Sequence, residues 1–466
     1  MYPRIVIAGT NNGIDKTILS IGLLIALKRR GLDIQPYKCG PDITDSALLS
    51  YISGNNCRNL DSFLLLKNVI LELFENKSRN ASFSLIEGIM GIFDGVEGHS
   101  DFGSTADIAK ILDSPVILII ESGKLAKCAG DIASGYQNFN RGLRLVGFII
   151  HGVSSSYRFN LAKEDIERRT GIPVLGYLPN ESELLIPEKL TGIISATDIN
   201  IQKYLTNLGD LIEKSIDIDA ILGQGEKAPP LPPFKISIFD KKVINGNVTI
   251  AVAQDRAFFS YYDDNLEILK FHGADLIYFS PLKSKKIPPS ADGIYIGSGF
   301  PEMYASNLSW NSELRENIKE LSNDGMPIYA ECSGLMYLMD KLVDFDGREF
   351  PMAGIFPGIV KIGKGLHLYG YHDIECVSNN ILSQKGDRII GYISEWSYVE
   401  NMPRNQDSAF MILKISVEES KTQFDGFIRG NTLASYIHFH FGNSPSMAKN
   451  FIKNIKLGLA FFHTNF

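Results

Sequence analysis

The stretch Pro327-Ile328-Tyr329-Ala330-Glu331-Cys332-Ser333-Gly334-Leu335-Met336 decides how the second half of this chain folds. The apolar run from Met326 to Ala330 reads as a buried strand, and Gly334 with the apolar residues after it opens a helix. A cysteine between them sits on a tight strand-to-helix turn, its sulfur raised into a cleft. The small residues Ala330, Ser333 and Gly334 permit that geometry. A thiol at a helix N-terminus also feels the positive end of the helix dipole, which favours the reactive thiolate. A lone cysteine can equally be a buried packing residue. Two distant features weigh against that reading: the paired-histidine motif Tyr436-Ile437-His438-Phe439-His440, and a phosphate loop near residue 9.

Working outward, 466 residues are too many for one ordinary core, so two or three domains are expected. A hydrophobic content of 44% with 21% charged residues is that of a soluble globular protein. The net charge of −7 and the lack of a basic block argue against nucleic acid as a partner. The longest apolar run, Pro115 to Ile120, suits a buried strand and is too short for a membrane span. The first strand, Arg4 to Ala8, begins with no signal peptide before it. Five cysteines form no Cys-x-x-Cys pair, which disfavours a disulfide framework or structural zinc and fits a reducing cytoplasm.

In the first part, strands at Ile5–Ala8, Asp33–Tyr37, Phe83–Glu87, Pro115–Glu121 and Leu145–His151 alternate with helices over 17–30, 62–75, 103–112, 125–137 and 158–169. That alternation predicts a doubly wound parallel sheet. The segment 218–246 changes character, with Ala228-Pro229-Pro230-Leu231-Pro232-Pro233 at its centre, and reads as a linker. Beyond it the pattern restarts with strands at Val248–Ala253, Asp275–Phe279 and Gly293–Ile296 and a helix near 264–272. The expectation is an α/β protein of two domains, 1–217 and 247–466.

Gly9-Thr10-Asn11-Asn12-Gly13-Ile14-Asp15-Lys16-Thr17 follows the first strand and opens the first helix. Backbone N–H groups there can wrap a polyphosphate, Lys16 can reach the terminal phosphate, and Thr17 can bind Mg²⁺. Asp15 stands where a glycine is usual, bringing a carboxylate near the phosphates. Asp42, Asp45 and Glu87 fall just past or at the ends of the second and third predicted strands, the edge at which ligands collect in parallel sheets. Each acid is also readable as a loop residue or a helix cap.

These residues resemble the cobyrinate a,c-diamide synthase family, glutamine-dependent amidases of corrin rings and related tetrapyrroles. The resemblance runs nearly end to end. It takes in the phosphate loop, Lys38-Cys39-Gly40-Pro41-Asp42, Arg58-Asn59-Leu60-Asp61, Glu87-Gly88-Ile89-Met90-Gly91 with Asp94-Gly95, Gly103-Ser104-Thr105-Ala106 and Thr170 to Gly176. In the second half it takes in Phe279-Ser280-Pro281-Leu282, Gly299-Phe300-Pro301-Glu302, Ala330 to Met336 and Ser435 to His440.

The resemblance implies an ATP-binding domain similar to dethiobiotin synthetase, followed by a class I glutamine amidotransferase domain. It implies that Cys332 attacks the glutamine amide, that His438 activates the thiol, and that ammonia is released. An imidazole can take the thiol proton and return it to the leaving ammonia. Backbone N–H groups at Gly299 and in the Cys332 turn could form an oxyanion hole. ATP would phosphorylate a macrocycle carboxylate, and ammonia would displace the phosphate. Gly9, Thr10, Asn11, Asn12, Gly13, Lys16 and Thr17 are the implied nucleotide contacts. Thr17, Asp42 and Glu87 are the implied Mg²⁺ ligands, and Asp42, Asp45 and Glu87 the substrate-handling acids. His440 would share a strand face with His438, though packing explains it equally well.

Beside Asp15, the chain departs from the family in four places. Ile43-Thr44-Asp45-Ser46 replaces Tyr-Ile-Asp-Pro, and Pro187 to Gly192 loses a histidine at Leu190. Gly391-Tyr392-Ile393-Ser394-Glu395-Trp396-Ser397 loses two more histidines, and Ser298 replaces a glycine. Cobyrinate or a related tetrapyrrole and glutamine are the expected partners, without nucleic acid or membrane, in a form compatible with a homodimer. The same chemistry on nickel sirohydrochlorin or siroheme, a partition-type P-loop ATPase, and a non-catalytic paralogue stay open as alternatives.

Overall fold

The computed structural model describes residues 2–96, 100–121, 128–179, 199–240, 248–363, 368–402, 407–413 and 423–464. The family stretch Pro187 to Gly192 lies outside them, as do residues 125–127 of an expected helix. The chain divides into two compact units, Met1–Ser237 and Ile238–Phe466.

The first unit is built on seven parallel strands: β1 (Arg4–Gly9), β2 (Ile34–Cys39), β3 (Arg58–Leu60), β4 (Phe83–Glu87), β5 (Val116–Glu121), β6 (Leu145–Val153) and β7 (Val174–Pro179). Their order is β3-β2-β4-β1-β5-β6-β7. β1, β2 and β4 are buried along their whole length; in β1 this leaves an unbroken apolar run from Ile5 to Ala8, while β2 and β4 also bury the polar Gln35, Lys38, Ser84 and Glu87. β1 lies between β4 and β5, so the loop after Gly9, the loop after Cys39 and the Glu87 terminus share one edge.

Helix α1 (Lys16–Arg29) is apolar almost all round because Leu19, Leu23, Leu24 and Leu27 are fully or nearly fully buried. It packs on α2 (Ile199–Ser215), whose Leu208 and Ile212 enter the same core. The expected linker is corrected in part. Residues Ile218–Glu226 form a helix, α3, started by Asp217 accepting the Ala220 N–H, and its Ile218 and Ile221 belong to the first unit's core. The proline-rich stretch is fastened as well, since the buried Arg4 guanidinium donates to the Pro229 carbonyl at 2.8 Å.

Among the described residues the second unit holds a nine-stranded mixed sheet. Its strands are β8 (Val248–Ala253), β9 (Ala274–Phe279), β10 (Gly293–Ile296), β11 (Ile328–Glu331), β12 (Leu368–Cys376), β13 (Arg388–Glu395), β14 (Ser408–Leu413), β15 (Gln423–Arg429) and β16 (Thr432–Ser435). The order is β9-β8-β10-β11-β16-β15-β14-β12-β13, parallel through β16 and antiparallel beyond it. β11 leads straight through Cys332 into helix α4 (Ser333–Leu338), the strand-turn-helix expected of the opening stretch.

Candidate functional site

The turn at Cys332 is strained. Its backbone sits at φ 53°, ψ −114°, a conformation L side chains rarely adopt and one that lifts the sulfur off the strand end. Two glycines let neighbouring backbone close around it. A Cβ at Gly334 would overlap the Ile296 carbonyl at the end of β10, and one at Gly299 would overlap the Ala257 carbonyl. The Cys332 N–H donates to the Ser435 carbonyl at 2.7 Å, pinning the turn to β16. Gly299 meets this turn through its carbonyl, which accepts the Ser333 hydroxyl at 2.8 Å.

His438 follows β16 and is held by a reciprocal backbone pair with Tyr392 of β13. Its Nδ1 lies 2.7 Å from Glu331 Oε1, and both side chains are almost wholly buried. The other Glu331 oxygen accepts the hydroxyls of Tyr295 and Tyr329, each at 2.9 Å. Burial opposes a charge on His438, but a hydrogen bond with Cys332 and the Glu331 carboxylate outweigh it and raise the imidazole well above its ordinary value. The thiol is pushed up by burial and then by Glu395, and is only partly lowered by His438 and by the Ser298 hydroxyl.

Two carboxylates outside the expected site residues, Glu331 and Glu395, complete the surroundings of the thiol. Glu395 ends β13 and accepts the Cys332 thiol hydrogen on Oε2 at 3.2 Å, while Ser397 donates its hydroxyl to Oε1 at 2.7 Å. Nearby Glu302 is pushed up to about 7 by burial, with the Glu395 charge adding to it. Adjacency to the nucleophile was the available signal for Glu331; none existed for Glu395, whose approach depends on the antiparallel half of the sheet. His440 packs against the Tyr262 ring at 4.9 Å between centroids and its Nδ1 accepts the Gly442 N–H, so it serves packing around the site.

In the first unit, parallel register sets Lys38 opposite Glu87. The buried Lys38 ammonium lies 2.5 Å from Glu87 Oε1 and 2.8 Å from Asp45 Oδ2, and Thr17 donates to Glu87 Oε1 at 2.7 Å. Burial works against the Lys38 charge, yet Glu87, Asp45 and Asp42 together hold it above the ordinary lysine value. Nothing in the local sequence around Lys38 points to this role, which comes from the parallel register alone. Asp42 sits beside this cluster, its carboxylate accepting the Asp45 N–H at 3.2 Å at the start of the helix that follows.

The phosphate loop bonds to itself: Thr10 donates to the Asn11 side chain, Asn12 accepts the Gly13 N–H, and Lys16 Nζ donates to the Asn11 carbonyl. Gly13 is at φ 79°. Burial lowers Lys16, offset in part by Glu87.

Among the described residues no three His, Cys, Asp or Glu side chains are grouped to hold a metal by themselves. Glu87 Oε2 is nevertheless buried with no hydrogen-bond partner among them. An orphaned carboxylate oxygen beside the Thr17 hydroxyl fits Mg²⁺ completed by phosphate oxygens. No helix among the described residues is long and apolar enough to cross a membrane.

Comparison with known proteins matches each half of the chain to a known domain. Residues 5–190 match the CobQ/CobB/MinD/ParA nucleotide binding domain, and residues 249–446 match the CobB/CobQ-like glutamine amidotransferase domain. A cobyrinate a,c-diamide synthase of Dehalococcoides mccartyi (strain CBDB1) is 41% identical over 97% of this chain and 98% of its own. Another from Priestia megaterium is 36% identical over 97% of each chain. A solved glutamine amidotransferase structure aligns with 44% of this chain and 98% of its own at 14% identity and TM-score 0.33, too distant a likeness to build on. With relatives this similar along nearly its whole length, the chain belongs to the cobyrinate a,c-diamide synthase family, enzymes that join a nucleotide-binding domain to a glutamine amidotransferase domain.

Proposed function

We propose that this protein amidates the a- and c-acetate carboxylates of cobyrinate, using ATP to activate each carboxylate and glutamine as the ammonia source. The observation that carries the reading is the buried chain Cys332–His438–Glu331, on one polypeptide with the Thr17–Glu87–Lys38–Asp45 cluster.

Cys332 attacks the side-chain amide of glutamine. His438 takes the thiol proton and returns it to the departing ammonia, while Glu331 fixes the imidazole and stabilises its charged form. Water then hydrolyses the thioester to glutamate. In the other site the loop from Gly9 to Gly13, with Lys16, holds the ATP phosphates, and the γ-phosphoryl group passes to a substrate carboxylate. Ammonia displaces phosphate from that acyl phosphate to leave the amide. Mg²⁺, held by Thr17, Glu87 and Asp42, would neutralise phosphate charge. Asp42, Asp45 and Glu87 would handle the substrate, with Lys38 pairing the carboxylates of Asp45 and Glu87.

The test is glutamine-dependent ADP formation with cobyrinate. Cys332→Ala should abolish use of glutamine and keep use of free ammonia. Survival of glutamine use would remove Cys332 as the nucleophile. The unusual Ile43-Thr44-Asp45-Ser46 loop favours a second reading, the same reaction on another tetrapyrrole such as nickel sirohydrochlorin or siroheme. Mass spectrometry of products from a panel of macrocycles separates the two.

A further inference from the structure

Asp15 is the residue that least suits a phosphate loop, and its environment supplies a reason for its presence. It immediately precedes α1, where backbone N–H groups and Lys16 would receive phosphates, and its charge is among those acting on Lys16. An aspartate at that position ordinarily caps the helix, but the Asp15 side chain makes no capping hydrogen bond. Its Oδ2 instead lies 2.7 Å from His151 Nε2. His151 comes from the carboxyl-terminal part of β6, reached from β1 across β5, and stands 136 positions away in the chain. The other ring nitrogen of His151 is buried with no hydrogen-bond partner among the described residues, so Asp15 is the contact that fixes the ring.

We propose that His151 is the positioning partner of Asp15: it ties up the loop carboxylate, so that a phosphate loop carrying an acid in place of glycine still accepts ATP. A carboxylate left unpaired here would face the incoming triphosphate as a like charge, close enough to the loop lysine to compete for it. The pairing offsets that charge without removing it. His151 thus acts through Asp15, not on the nucleotide. This inference rests on the ATP reading of the loop.

A double-mutant cycle on the intact protein, read as the dissociation constant of Mg·ATP by calorimetric titration, tests it. His151→Ala should weaken binding about 10-fold, the scale of one like charge acting across a partly solvated site. Asp15→Gly should bind at least as tightly as the natural chain. In the Asp15→Gly background the His151 change should shift binding by no more than about 2-fold, because the charge it offsets is gone. His151→Gln, which keeps a donor, should retain most of the affinity and covers the case in which the alanine variant folds poorly; the melting temperature and Cys332 alkylation rate monitor folding.

A loss that persists in the Asp15→Gly background would make His151 a direct nucleotide contact and overturn the inference, as would natural-level binding by His151→Ala. Absence of Mg·ATP binding by the natural chain would fell the ATP reading itself, and this inference with it.

Discussion

The thiol of Cys332 faces two acceptors, the His438 imidazole and the Glu395 carboxylate at 3.2 Å, and they act on it in opposite directions. His438 takes the proton and becomes a cation that steadies the thiolate, whereas an ionised Glu395 opposes the thiolate charge. Removing the carboxylate while keeping its shape therefore has a definite sign. Glu395→Gln should lower the thiol's titration midpoint, so that alkylation by iodoacetamide speeds up at pH values below the natural midpoint. A midpoint that stays put or rises would mean Glu395 is neutral beside the thiol. Burial raises Glu395 too, so the effect should fade as pH falls and the natural carboxylate takes up its own proton.

At the scale of elements, α1 and α2 are held by a close approach at Gly22, where a Cβ would overlap the Ile212 side chain. On an exposed helix, Gly to Ala adds about 1 kcal/mol of stability. Here Gly22→Ala should instead cost about 1–3 kcal/mol, because Ile212 must move within a filled core. A urea midpoint at or above the natural one would show that the helices have room to separate. The parallel strands were legible in the sequence because strands buried on both faces leave unbroken apolar runs, as Ile5 to Ala8 does. β3, β7 and β16 were not: Arg58–Leu60 is three residues, two of them polar, Val174–Pro179 is interrupted by Gly176, and Thr432–Ser435 is short and half polar. The antiparallel strands β12, β13 and β15 interleave glycine, charge and aromatics, so their pairing is set by tertiary contact. The same divide runs through the sites. Cys332, His438, Lys16 and Thr17 carry their chemistry in local motifs, whereas Glu395 and His151 gain theirs from partners 63 and 136 residues away.

Across the whole molecule, each unit contains its own candidate site: Cys332, His438 and Glu331 in the second, the phosphate loop and its acids in the first. Composition alone places the end of the first at residue 217, with a proline-rich linker over 218–246. The tether is instead riveted to the unit it leaves. Arg4, fully buried, donates to the carbonyls of Leu112 and Asp113 as well as Pro229, and burial lowers it to about 10. Ser237 closes the segment by donating its N–H and hydroxyl to Glu72. For anyone dividing the gene to express the halves separately, the place to cut follows from that guanidinium. A piece ending at residue 217 would strip Arg4 of one acceptor and bare the surface that Ile218 and Ile221 cover, about 1.5–3 kcal/mol for each isoleucine. It should melt well below a piece ending at Ser237, and equal melting curves would show that the proline-rich stretch is dispensable baggage. What looks in the sequence like a hinge between two machines is, in the fold, the last bolt of the first.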